Sequence, residues 1–168
     1  MSEKEVSHME RTIKVGGKPY NIRASAWALV IYKAQFGREY TDDAADAEND
    51  EQAYIVGCRL LWAMARAAKS KTPSPDDWIL MFKPKELAKA LVLSQQLFAA
   101  SMGEEKHSGK GSEFSSEALI ASAAICGMRA EELNSLPLGM VIDTMEKYAE
   151  MRFGDGSEYV SAADFFGE

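Results

Sequence analysis

"EQAYIVGCRLLWAMARAAK", residues 51–69, keeps one helical period for about five turns and organises everything around it. Tyr54, Cys58, Leu61 and Ala65 share one face, while Gln52, Arg59 and Arg66 recur every seven residues on another. This is the expected central helix. Gly57 in its interior costs about 1 kcal/mol relative to alanine, a cost most easily tolerated if a second helix crosses closely there. Upstream, "RTIKVGGKPYNIR" alternates polar and β-branched residues about Gly16-Gly17, which predicts a hairpin with strands near 11–15 and 19–23. Ser25 is placed to cap a helix running to Phe36, with Trp27, Val30, Ile31 and Ala34 on one face and Gly37 as its C-terminal cap. The acidic stretch "REYTDDAADAEND" breaks the pattern and reads as a solvated loop.

Downstream, "TPSPDD" ends the central helix and starts a short one holding Trp78, Leu80, Met81 and Phe82. Pro84 opens the next, whose stripe of Leu87, Leu91, Ser94 and Phe98 runs out near Met102. The composition then changes: "GEEKHSGKGSE" has no apolar residue and predicts a flexible tether. A second helical block follows, and "FGDGSEYVSAADFFGE" reads as a mobile tail. The expected architecture is mainly α (α+β). It comprises a disordered N-terminus (1–10), a hairpin plus helical domain (11–102), a flexible linker (103–114), a helical C-terminal module (115–152) and a mobile tail (153–168).

Composition restricts what such a chain does. With 168 residues and 46% hydrophobic content it can bury one good core. Its net charge of −7 makes neither a phosphate backbone nor an anionic membrane face an attractive partner. No apolar run reaches the roughly 18 to 20 residues of a membrane span, and "MSEKEVSHMERTIK" has no signal-peptide core, so a cytoplasmic location is expected. The two cysteines, Cys58 and Cys126, do not make a disulfide scaffold.

Enzyme chemistry needs convergent polar groups. "HSGKGS" approaches a phosphate loop, but Gly103 lies one residue too far upstream and Gly111 stands where Ser or Thr should hold magnesium. His8 and His107 have no cysteine or second histidine at ligand spacing. Cys126 ends a helix, where the dipole disfavours a thiolate, so packing is its expected role. The pairs Asp42-Asp43, Asp76-Asp77 and Glu131-Glu132 are sequence neighbours in loops or first helical turns. No catalytic, cofactor or metal residue is expected; an enzyme whose site forms only in an oligomer has no motif behind it.

"AAICGMRAEELNSLPLGMVIDTME", residues 123–146, has the layout of a helix-turn-helix unit or of a protein-binding module. Arg129 and Asn134 are its potential base readers, yet residues 113–150 hold two basic side chains against seven acidic ones. A net −5 is unsuited to phosphates. Protein contact is the better expectation, and the chain's nine methionines supply adaptable apolar surface. Met128 and Met145 read as core fillers. Met140 and Met151 lie off the stripe of Leu138, Val141, Ile142, Met145 and Ala149. The candidate protein-binding residues are Met128, Leu133, Leu136, Met140 and Met151.

The order of "GGKPYNIRAS", "YKAQFGREY", "LLWAMARAA" and "ASAAICGMRAEELNSLPLGMVIDTMEKY" resembles the phage or prophage tail assembly chaperones over about residues 11–150. The "FG" after the first helix and "ICGMRAEELNSLPLG" carry most of the likeness. Pro137 departs from the Ser or Thr that relatives often place ahead of the "LG" helix. The family's helical appendix often arises by frameshifting; here it is simply present in the chain. The resemblance implies a non-enzymatic protein of the bacterial host cytoplasm that coats the tape measure protein, keeps it soluble, helps recruit tail tube protein, self-associates and leaves the finished virion. An acidic helix-turn-helix regulator or accessory subunit is the alternative.

Overall fold

The computed structural model describes residues 9–103 and 115–153. A hairpin of β1 (Glu10–Val15) and β2 (Lys18–Arg23) precedes α1 (Ala26–Phe36), α2 (Tyr40–Ala45), α3 (Asp50–Ala67), α4 (Pro75–Leu80) and α5 (Pro84–Met102). Then come α6 (Ser116–Ile125), α7 (Ala130–Ser135) and α8 (Leu138–Phe153). The chain is mainly α with a two-stranded antiparallel β part, as its periodicity predicts. The sequence-stretches read as disordered start, flexible linker and mobile tail fall mostly outside the described residues. Met9 and Glu10 are exceptions: β1 begins at Glu10, and Met9 is buried, its carbonyl accepting from the Ala24 N–H at 2.9 Å. Met9 lies just before β1, and its burial together with this backbone bond to Ala24 orders it.

The hairpin pairs Ile13 with Tyr20 and Val15 with Lys18 around Gly16 and Gly17, whose φ values of 58° and 83° fit a two-residue turn of the type that matches strand twist. Ile13, Val15 and Ile22 face inward. The turn is pinned by Glu86 in the first turn of α5, whose carboxylate accepts from the Gly16 and Gly17 N–H groups at 2.9 and 3.1 Å. A Cβ on Gly16 would stand 2.9 Å from the Met81 carbonyl oxygen, so that position requires glycine for space as well as for φ.

Asn49 caps α3 by accepting from the Gln52 N–H at 3.0 Å. Residues 50–55 of α3 stay exposed, so Tyr54 lies on the line of Cys58, Leu61 and Ala65 and meets the Cys58 side chain, but at the uncovered end of that line. From Val56 onward α3 is enclosed by the hairpin, α1 and α5, and only the line through Arg59 and Arg66 turns outward. Both arginines cover aromatic faces, Arg59 over Phe36 at 5.0 Å and Arg66 over Trp62 at 5.8 Å. Gly57 faces α5, where an added methyl would just touch Leu91 at 3.4 Å. The expected close crossing is therefore present, though it leaves room for alanine.

The segment read as a solvated loop contains α2. Its acidity concealed three inward side chains: the Tyr40 ring meets Phe98 and Tyr32 at 5.2 and 5.7 Å, and Glu39 and Asp43 are buried. Asp43 accepts from the Tyr32 hydroxyl at 2.6 Å and is flanked by Arg38 at 3.3 Å and Arg59 at 3.4 Å. Burial and this carboxylate push the Tyr32 phenol far above its ordinary range. Arg59 of α3, the Tyr32 hydroxyl of α1 and Arg38 of the loop just before α2 together stabilise a helix that local composition disfavours.

Candidate protein-binding surface

Ser115 caps α6 by accepting from the Ala118 N–H at 3.2 Å, and its buried face carries Ser116, Leu119, Ser122 and Ala123. The helix ends in a left-handed corner at Gly127 (φ 78°), closed by the Met128 N–H on the Ala123 carbonyl at 2.8 Å. In α7, the Glu132 carboxylate returns to accept from the Arg129 N–H at 2.6 Å. Pro137 then leads directly into α8, its carbonyl accepting from the Val141 N–H at 3.1 Å.

These three helices lie against the rest of the chain rather than standing clear of it: α6 and α7 meet α1, and α8 meets α5. Leu119, Ala123, Leu133, Leu138, Val141 and Met145 join the same core as Leu60, Leu61 and Trp78. Polar contacts fix the register. Asn134 Oδ1 accepts from the Ser25 hydroxyl at 2.9 Å, and its Nδ2 donates to the Ala67 carbonyl at 2.9 Å. Arg23 donates to the Asn134 carbonyl at 3.2 Å. Buried Glu39 accepts from the Ser116 N–H at 2.8 Å and its hydroxyl at 2.6 Å, with the Lys33 ammonium 3.7 Å away. Ser25, expected to cap α1 with its side chain, spends its hydroxyl on Asn134 instead. At the start of α8, Gly139 packs so closely on the Met102 carbonyl that no Cβ fits.

Of the five candidate contact residues, the structure separates three from two. Leu133 is 2% exposed, and Met128 and Leu136 are half-buried against the core. Met140 and Met151, off the apolar stripe, are 45% and 83% exposed. Met145 and Met128 pack inward as core fillers. Ile120 and Ile125 of α6 are also exposed, and sequence reading missed them because "SEALIASAAI" is apolar nearly all round. Elsewhere the neighbouring pairs Tyr54-Ile55 on α3 and Leu80-Met81 at the end of α4 are exposed, as is Val92 on α5.

The would-be base reader Asn134 is committed to the fold, and Arg129 stands beside exposed Glu131 and Glu132. Burial pushes the thiols of Cys58 and Cys126 up, the opposite of what a nucleophile needs. Among the described residues, no group of three or more His, Cys, Asp or Glu is arranged to hold a metal ion, and no helix is long and apolar enough to cross a membrane. A shallow groove of about 480 Å³ runs between β1, α5 and Pro137, lined mainly by Met9, Leu93, Leu97 and Ala100. No protein-family description, curated protein or solved structure matches this chain.

Proposed function

We propose that this chain is a tail assembly chaperone of the phage or prophage type, a non-enzymatic protein that holds a tape measure protein soluble and helps bring tail tube subunits to it. The observation that carries the reading is the outward apolar set on α6 and α8: Ile120, Ile125, Met140 and Met151. A side chain of this size contributes about 1.5 to 3 kcal/mol when fully covered, so one chain grips an apolar helix weakly. Several self-associated copies along a rod-like client turn weak grips into firm retention without one tight site. Release from the finished tail in the host cytoplasm is then possible because no single contact is strong. The surrounding acidity keeps the complex dispersed and supports a protein partner over a nucleic acid.

Coexpression with the tape measure protein tests this. The client partitions into the soluble fraction and is retained by the tagged chain; a client that is equally insoluble with and without the chain, and is not retained, refutes the reading.

A further inference from the structure

We infer that α6, α7 and α8 form a detachable block that opens from the body as one unit while the body stays folded, storing an apolar face on its inner side. That side carries Leu119, Ala123, Leu133, Leu138, Val141 and Met145, each at most 8% exposed. The seam is not sealed by apolar contact alone. It is registered by the Asn134 bonds to Ser25 and Ala67 and by the Glu39 bonds to Ser116. Such bonds are exchanged for bonds to water on opening, whereas Leu60, Leu61, Met64 and Trp78 in the body have no comparable substitute. The buried Ser122 hydroxyl on the inner face of α6 has no hydrogen-bond partner within the protein, so its rehydration favours the open form.

The block also has contacts of its own. α6 packs on α8, and the Gly127 corner is closed by hydrogen bonds to α6 itself. The body in turn is self-sufficient, because α3 packs on the hairpin, α1, α4 and α5 independently of the block. Two units joined across a seam registered by a few polar bonds are an arrangement in which sub-global opening precedes global unfolding. Use of the bared face by a client rests on the function proposed above; the opening itself does not.

Native-state hydrogen exchange on the full chain in rising urea reads the opening directly. Hydrogen-bonded amides of α6 and α8 exchange through a shared event at least tenfold faster than those of residues 60–67, with a weaker urea dependence. Val15→Ala sharpens the distinction. Val15 lies at the hairpin turn, whereas the block meets the hairpin at Arg23 on the opposite end. The substitution speeds exchange in residues 60–67 at least threefold and leaves α6 and α8 unchanged, because closed and open forms carry the same damaged body. A single rate and urea slope for both groups, or equal acceleration of both by Val15→Ala, overturns the inference. The urea series needs only the unmodified chain and decides the matter even if the variant does not fold. A normal opening with a client that is never bound would remove the chaperone reading alone.

Discussion

Replacing Asn134 with alanine removes both side-chain bonds that register α7, 2.9 Å each, and leaves the Ser25 hydroxyl and the Ala67 carbonyl facing the vacated space. Each bond contributes about 1 kcal/mol net, and an unsatisfied buried group costs about 1–3 kcal/mol more. The Arg23 bond goes to the Asn134 backbone and survives the change. Two lost bonds and two orphaned groups sum to at least about 4 kcal/mol, which for a domain of this size lowers the melting temperature by about 8–16 °C or more. Differential scanning calorimetry measures the shift, and urea unfolding followed by far-UV circular dichroism supplies the free energy. Ser25, 1% exposed, allows a sharper check. The double variant S25A/N134A removes donor and acceptor together, so its loss falls short of the sum of the singles by about 1 kcal/mol. A melting temperature within about 2 °C of the parent, or strict additivity, would refute the reasoning, because Asn134 would then be a surface residue in solution.

Four further outcomes follow from the same geometry. Gly16→Ala forces a positive φ on alanine and drives its Cβ onto the Met81 carbonyl, costing about 2 kcal/mol in urea unfolding. Leu133→Ala, at a position 2% exposed, costs about 2–5 kcal/mol, whereas Met140→Asp leaves far-UV circular dichroism and melting temperature nearly unchanged while weakening client retention. Glu86 is held below the usual carboxylate range, first by the Lys83 N–H and then by those of Gly16 and Gly17. Its stabilising effect is present above the unfolded carboxyl value of about 4.3 and is lost as pH falls through the lower folded value. The melting-temperature gap between parent and Glu86→Gln therefore closes on acidification, and a gap that widens contradicts the pinning of the hairpin.

Periodicity made the presence of the hairpin, α1, α3 and α5 legible, but not every buried face: α1 buries Ala28, Leu29 and Tyr32 and leaves Trp27, Val30 and Ile31 only partly covered and Ala34 exposed, and α3 is enclosed nearly all round from Val56 onward. α2 was not legible: its stability comes from Tyr40 reaching Phe98 and from Asp43 meeting Arg59 as well as its neighbour Arg38, and local sequence does not place Phe98 or Arg59 nearby. The exposure of Met140 and Met151 was readable from their position off the stripe of α8, but Ile120 and Ile125 were hidden in a helix with no polar contrast. Docking of the C-terminal helices was also concealed. Asn134 reads as an outward base reader until Ser25 and Ala67 are seen to face it, and nothing in the local sequence pairs Ser116 with Glu39. The module thus lies on the body through a shared apolar core whose register is set by these polar bonds.

The central claim is that the outward apolar side chains of this docked block hold an apolar client. Its most direct measurement is the soluble fraction of coexpressed tape measure protein with the parent chain against the M140D/M151D variant, both confirmed folded by circular dichroism. The parent keeps the client soluble and the double variant loses it. Equal client solubility with both chains, or with no chain at all, contradicts the account.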